Sequence, residues 1–232
     1  MQAAELKIIA GAGIGGPLRE LAAGYEKSSG TKVTIFFGTT PELIKKITSG
    51  EAFDLGITPR EVFEDAGALA RFASGPRTEI ARVGLAVAVR SGAPKPDIST
   101  PEALKQTLLK AQSIATILES AAGAQILKLF ERFGIGDAMK GKVRSQPGPE
   151  HVGQAMLNGE AELGVFLVNV LTVPGLDIVG LFPAEVQREV VYSAAVAAGS
   201  KVPDAAKTFI MFMSTPEARA LIKVKGLEPA LR

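Results

Sequence analysis

The sequence predicts an α/β fold of two α/β lobes with a hinge and an interlobe cleft, and three observations carry that prediction. Short β-branched runs alternate with amphipathic helical segments along the chain, the pattern of a mainly parallel sheet covered by helices. Two strand-to-helix junctions follow one another early: residues 6–10 run into Gly11-Ala12-Gly13-Ile14-Gly15-Gly16-Pro17, and residues 33–37 into Gly38-Thr39-Thr40-Pro41. The βα order then starts again at about residue 87, and the last strand and helices can return to the first lobe. Crossings near 82–87 and 190–195 give lobes of 1–84 plus 193–232 and of 85–192. In such folds ligands sit beyond the carboxyl ends of the strands, so the cleft is the expected site.

Each element has a local reason. Residues 17–28 place Leu18, Leu21, Ala22 and Tyr25 on one helical face, closed by Gly30. Residues 41–48 bring Leu43, Ile44 and Ile47 together, and Gly50 ends that helix. Asp54-Leu55-Gly56-Ile57 reads as a short strand, and Thr58-Pro59-Arg60-Glu61 as a cap, a proline and an acidic first turn. Residues 81–89 form a longer apolar strand broken by Ser91-Gly92-Ala93-Pro94. A helix opens at Ser99-Thr100-Pro101-Glu102 and runs to about Lys110. Residues 113–118 read as a strand, 119–123 as a loop and 124–133 as a helix. Val143 starts a short strand, 150–158 a helix, and 161–168, 177–181 and 190–198 further strands. Helices over 204–213 and 216–223 close the chain.

Composition excludes several function classes. The 232 residues carry a net charge of +2, no Trp and only two Tyr, so a basic, aromatic-interleaved nucleic-acid surface is not expected. The absence of cysteine removes disulfides, thiolate metal sites and cysteine nucleophiles, and one histidine cannot make a two-histidine metal motif. No metal or other cofactor is expected. No apolar run reaches the roughly 20 residues of a membrane span, so no membrane insertion is expected. The N-terminus has no basic region leading into an apolar stretch. Met1-Gln2-Ala3-Ala4-Glu5 fits the start of a cytosolic protein or of a mature secreted chain with an added methionine, and its alanines favour the second.

The two early junctions are where chemistry is expected. Each leaves backbone N–H groups at a helix N-terminus, where donors and dipole both favour an anion. Gly11, Gly13 and Gly16 also fit G-x-G-x-x-G, but a dinucleotide site needs a carboxylate at the end of the next strand. Phe37-Gly38-Thr39-Thr40 offers none, and no P-loop sequence is present. The candidates for holding a small anion are therefore Gly11, Gly13, Ile14, Gly15, Thr39 and Thr40, with Ser120, Ala122 and Gly123 at the matching position of the second lobe. Thr39 and Thr40 also read as simple N-caps, and 119–123 as an ordinary βα connection. Arg60, directly after a strand, and Arg82, at a crossing, are candidate counter-charges, and Asn169 ends the 163–168 run. If the site is catalytic, His151 and Glu119 are the acid/base candidates; a lone histidine otherwise reads as structural or exposed.

The chain resembles the molybdate-binding-protein-like branch of the type II periplasmic solute-binding proteins over nearly its whole length. The resemblance is carried by residues 8–13 with the 18–22 helix, Tyr25-Glu26-Lys27, Phe37-Gly38-Thr39-Thr40, and residues 82–94, 159–164, 174–180 and 225–229. It implies a two-lobed periplasmic receptor, expected to be monomeric, that closes on a small anionic ligand and delivers it to the permease of an ABC importer. Molybdate binders of this family use a serine after the first strand, a serine after the second, main-chain N–H groups of the second lobe and a late tyrosine. By position these fall at Gly13, at Thr39-Thr40, at Ala121-Ala122-Gly123 and at about Leu167. Two of the four polar contacts are thus absent, which favours a small organic carboxylate over a molybdate-type oxyanion. The stretches 92–97 and 181–187 are shared with a neighbouring group, and an aconitate-isomerase-like subgroup on this scaffold supplies the alternative: isomerisation of an unsaturated polycarboxylate.

Overall fold

A computed structural model describes residues 5–230. Strand β1 (Glu5–Gly11) leads through a 3-10 turn (Ala12–Ile14) into α1 (Gly15–Ser29). β2 (Lys32–Gly38), α2 (Thr40–Thr48) and β3 (Leu55–Pro59) follow, then a second 3-10 turn (Arg60–Glu64) and the short α3 (Ala66–Leu69). The long β4 (Thr78–Arg90) opens the middle of the chain, with α4 (Pro101–Lys110), β5 (Ile114–Thr116), α5 (Ala121–Arg132) and α6 (Gly136–Lys140). β6 (Val143–Ser145), α7 (Pro149–Leu157), β7 (Leu163–Leu167), α8 (Val168–Leu171) and β8 (Leu176–Leu181) complete it. β9 (Glu189–Val196), α9 (Pro203–Met213), α10 (Pro216–Val224) and β10 (Glu228–Pro229) end the chain.

Two compact units result, Met1–Arg82 with Val191–Arg232 and Val83–Val190. Both joints lie two residues before those read from the sequence, at 82/83 instead of 84/85 and at 190/191 instead of 192/193.

In the first unit β1 lies between β2 and β3, parallel to both, and β9 pairs antiparallel with β3. The register sets Gly11 opposite Gly38 and Ala10 opposite Ile57, so β1, β2 and β3 end along one edge of the sheet. The antiparallel β9 brings Tyr192 opposite Pro59 at that same edge. One sheet face packs on α2: Leu43 and Ile47 are fully buried with Ile9, Phe53, Phe63 and Phe72. Each such side chain contributes roughly 1.5–3 kcal/mol of burial. Tyr25 of α1 meets the ring of Phe209 on α9 edge-on at 5.0 Å, which anchors the C-terminal helices to the first βα unit.

The second unit is a mixed sheet. β4 pairs antiparallel with β7 and β8, while β5 runs parallel to β6 and β7. The Gln187 side chain accepts from Leu85 N–H and donates to Leu85 C=O, both at 2.9 Å, and so satisfies a backbone pair of β4.

Two sequence assignments need correction here. The segment 119–123 is a loop only to Ser120: α5 starts at Ala121, so Ala122 and Gly123 are helical. Ser120 is its N-cap and accepts from Gly123 N–H at 2.9 Å. The strand over 161–168 stops at Leu167, and Asn169 lies in the one-turn helix α8. The first 3-10 turn, α3, α6 and β10 are further elements outside the sequence reading, and the helix start read at 58–61 is the second 3-10 turn.

Candidate functional site

The carboxyl edge of the first sheet is built by three successive strand exits. β1 hands over to α1 through Ile14, which provides no side-chain cap, and α1 has no acidic residue in its first turn. Among the described helices of nine or more residues, α2, α4, α7, α9 and α10 each carry an Asp or Glu there. Only α1 and α5 do not. A first-turn carboxylate offsets the positive end of the helix dipole, so these two N-termini are the ones left uncompensated by their own sequence. One follows the first strand of the first unit; the other follows β5 of the second.

Around the α1 junction the packing is tight. A Cβ on Gly11 would sit 2.7 Å from Cε1 of Tyr192 and 2.9 Å from Cδ of Pro59. Glycine is required because the β1 exit passes directly against that ring and proline. Tyr192 is fully buried, and burial first, then the nearby charge of Glu61, push its hydroxyl pKa well above the usual tyrosine value. The phenol therefore keeps its proton. Glu61, in the 3-10 turn after β3, holds its Oε2 out of solvent.

Hydroxyls complete the edge. Thr39 donates from both its N–H and its Oγ1 to the Glu42 carboxylate, at 2.7 and 2.9 Å. That closes the acidic half of a capping box and commits Thr39 to α2. Thr40 is different: its Oγ1 is buried and has no hydrogen-bond partner among the described residues, and the same holds for Thr58 on β3. A buried hydroxyl without a partner costs about 1–3 kcal/mol, and a ligand or water that accepts from it removes that cost.

Gly11, Gly13, Ile14, Gly15, Thr39, Thr40 and Arg60 all fall on the exits of β1, β2 and β3. Arg60 is exposed. Arg82 lies within β4, and its guanidinium is held by Glu79, with Nε 3.0 Å from Oε1, so a carboxylate already balances its charge. In the second unit Ser120, Ala122 and Gly123 open α5, and the Ser120 hydroxyl also donates to Ile117 C=O at 2.7 Å. Asn169 lies on α8. His151 is exposed on α7, its Nδ1 3.5 Å from Glu150, and Glu119 is exposed as well. Sequence reasoning missed Tyr192, Glu61 and Thr58. The available signal was Tyr192 itself, one of two tyrosines in the chain, on the strand read over 190–198.

Two further hollows belong to the second unit. One, of about 530 Å³, is lined by Arg90, Lys95, Asp97, Lys110 and Glu162 among others. The other, of about 620 Å³, is lined by Leu118, Leu127, Phe130 and Met139. Neither contains a residue named above as a site candidate. Among the described residues there is no group of His, Asp and Glu arranged to hold a metal, and no helix long and apolar enough to cross a membrane.

Comparison with known proteins follows this geometry. Residues 6–228 match the model of the bacterial extracellular solute-binding protein family. The chain belongs to that family. Over 231 residues it is 36% identical to an aconitate isomerase from Pseudomonas sp., covering 97% of this chain and 87% of that protein. It is 26% identical over 233 residues to the molybdate-binding protein ModA of Azotobacter vinelandii, covering 97% and 90%. The solved periplasmic molybdate-binding protein of Azotobacter vinelandii superposes with a TM-score of 0.75 at 21% identity, covering 98% of this chain and 99% of that one. This solute-binding protein thus has the α/β architecture of the periplasmic binding proteins and falls in the branch that holds both molybdate binders and an aconitate isomerase.

Proposed function

We propose that this solute-binding protein takes a small organic polycarboxylate and serves an ABC importer as its periplasmic, monomeric receptor. The observation that carries the anion is the N-terminus of α1, without a side-chain cap or a first-turn carboxylate, on the sheet edge where Thr40 and Thr58 hold buried hydroxyls. The chemistry of the edge favours a carboxylate. Gly13 stands where the family's molybdate binders place a serine, and the relative at 36% identity acts on aconitate by its name.

A thermal-shift panel tests this. Polycarboxylates at a hundred times their Kd are expected to stabilise the fold by about 2.7 kcal/mol, while molybdate, tungstate and sulfate leave the melting temperature unchanged. Stabilisation by molybdate and tungstate alone would overturn the proposal. Thr40→Val is expected to weaken the carboxylate by roughly 5- to 10-fold, about 1–1.5 kcal/mol, without lowering the melting temperature of the free protein. Titration calorimetry and melting together check it, and unchanged affinity removes Thr40 from the site.

A second reading, isomerisation of an unsaturated polycarboxylate, is favoured by the same relative. His151 and Glu119, the acid/base candidates legible in the sequence, are both exposed and offer no water-excluded position. Conversion of cis- to trans-aconitate followed by proton NMR distinguishes an isomerase from a receptor.

A further inference from the structure

We infer that the hollow of about 530 Å³ in the second unit is a second ligand site, for a small carboxylate with an apolar body. The inference does not rest on the polycarboxylate reading of the first sheet's edge. The hollow lies at the amino end of β7, where Leu163 begins that strand, against Val89 near the end of β4. α5 starts beyond the carboxyl end of the parallel β5, so this hollow and that helix N-terminus use opposite ends of one sheet. Residues 93–97 form one wall and lead from β4 to α4, with Pro94 and Pro96 restricting the backbone. They belong to the 92–97 stretch, which the edge of the first sheet leaves without a role. The buried Thr107 hydroxyl on α4 donates to Asp97 C=O at 2.7 Å and fastens this wall to the helix. Lys95 Nζ donates to Ile178 C=O of β8 at 3.0 Å and fastens it to the sheet. The floor is apolar, with Val89, Ala111 and Leu163 all buried. A tied-down hollow of this size, with an apolar floor and a few polar groups, suits a small organic molecule.

The rim sets the charge of the occupant. Arg90, Lys95 and Lys110 share it with two carboxylates, Asp97 and Glu162. Each carboxylate is already held by a backbone N–H: Asp97 Oδ1 accepts from Ser99 at 2.9 Å, and Glu162 Oε2 from Gln112 at 2.7 Å. Among the described residues no carboxylate pairs with Arg90 or with Lys110. The Arg90 guanidinium gives one N–H to Met156 C=O, at a long 3.4 Å, and keeps the rest of its donors. Its planar fork matches a carboxylate through two parallel hydrogen bonds. Lys110 adds a second positive charge from the last turn of α4. A polycarboxylate would place further negative charge over the apolar floor and against Asp97 and Glu162. One acid head on an apolar body is the chemistry that both rim and floor accept.

Titration calorimetry of the full chain with phenylbutyrate tests the assignment, with acetate as the head alone and phenylbutanol as the body alone. Phenylbutyrate is expected to bind one to one, and each half at least about tenfold more weakly. Arg90→Gln is expected to weaken phenylbutyrate by at least about tenfold, and Lys110→Gln by about threefold. Ala103→Phe, which fills the hollow from α4, is expected to abolish binding while its melting temperature stays that of the wild type. Saturating cis-aconitate is expected to leave the phenylbutyrate affinity unchanged. Competition between the two would put phenylbutyrate in the polycarboxylate site and overturn the second site. Undiminished binding to Arg90→Gln and Ala103→Phe would overturn the placement in this hollow. A wild type that binds no phenylbutyrate overturns the inference, whether or not it binds cis-aconitate, and so leaves the polycarboxylate reading to its own test.

Discussion

Replacing Gly123 by alanine is expected to lower the melting temperature by about 4–8 °C. Two effects oppose one another at this position. Alanine is the better helix former by about 1 kcal/mol, and Gly123 lies in the first turn of α5, where that gain would apply. Against it, a Cβ would sit 2.1 Å from the carbonyl oxygen of Ile117 and 2.3 Å from that of Leu118. Both atoms are backbone, and the Ile117 carbonyl is also bonded to the Ser120 hydroxyl, so neither can swing aside. Relief requires α5 to lift from the end of β5. With overpacking costing about 3 kcal/mol and each kcal/mol worth about 2–4 °C in a chain of this size, the clash outweighs the propensity. Gly136→Ala, with nothing within 4 Å of its Cβ, supplies the control and is expected to stay within about 0.5 kcal/mol. Melting curves of the two variants decide the matter; equal melting temperatures would refute the close approach. The result also separates roles, because a glycine kept only for ligand contact would lose affinity and leave stability alone.

The same residues show what the sequence makes legible. The first βα unit could be read because its signals are local: the buried face of Leu18, Leu21, Ala22 and Tyr25 recurs at helical spacing, and Gly30 ends it. The α5 start was placed late because Ser120-Ala121-Ala122-Gly123 lacks the acidic third residue that usually announces a helix. That missing carboxylate also leaves the positive end of the α5 dipole uncompensated within its own first turn. Asn169 was misplaced because the apolar run into Val168 gives no sign of where strand becomes helix. The placing of Tyr192 opposite Pro59 is of another kind. It depends on the antiparallel register of β3 with β9, which joins distant parts of the chain, and no periodicity encodes a register. Half of the candidate edge was therefore readable from its strand exits, and the half brought in by β9 was not.

Asp54→Ala is expected to lower the melting temperature by about 6–12 °C and to leave polycarboxylate affinity unchanged. Asp54 is buried just before β3 and works through both carboxylate oxygens. Oδ2 accepts from Lys7 N–H of β1 at 2.9 Å, and Oδ1 accepts from the Ser200 hydroxyl, beyond β9, at 2.8 Å. Its own backbone N–H donates to Lys7 C=O, and its C=O accepts from Ala197 N–H. One residue thus ties β1, β3 and the end of β9 together. Hydrogen bonds to a charged group contribute about 1.5–3 kcal/mol each, and a donor left buried and unmet costs more. Alanine strands the Lys7 N–H and the Ser200 hydroxyl, for a loss of about 3 kcal/mol after local relaxation, which gives the stated drop in melting temperature. Asparagine can accept from Lys7 with its oxygen and donate to Ser200 with its amide, so Asp54→Asn is expected to cost only about 1 kcal/mol. The anchor lies where β1 and β3 begin, and Gly11, Pro59 and Tyr192 gather where they end. The folded variant should therefore show the full ligand-induced thermal shift from its lower baseline. A reduced shift would mean that Asp54 sets the register on which the carboxyl edge depends, and that the two ends of this sheet are energetically coupled.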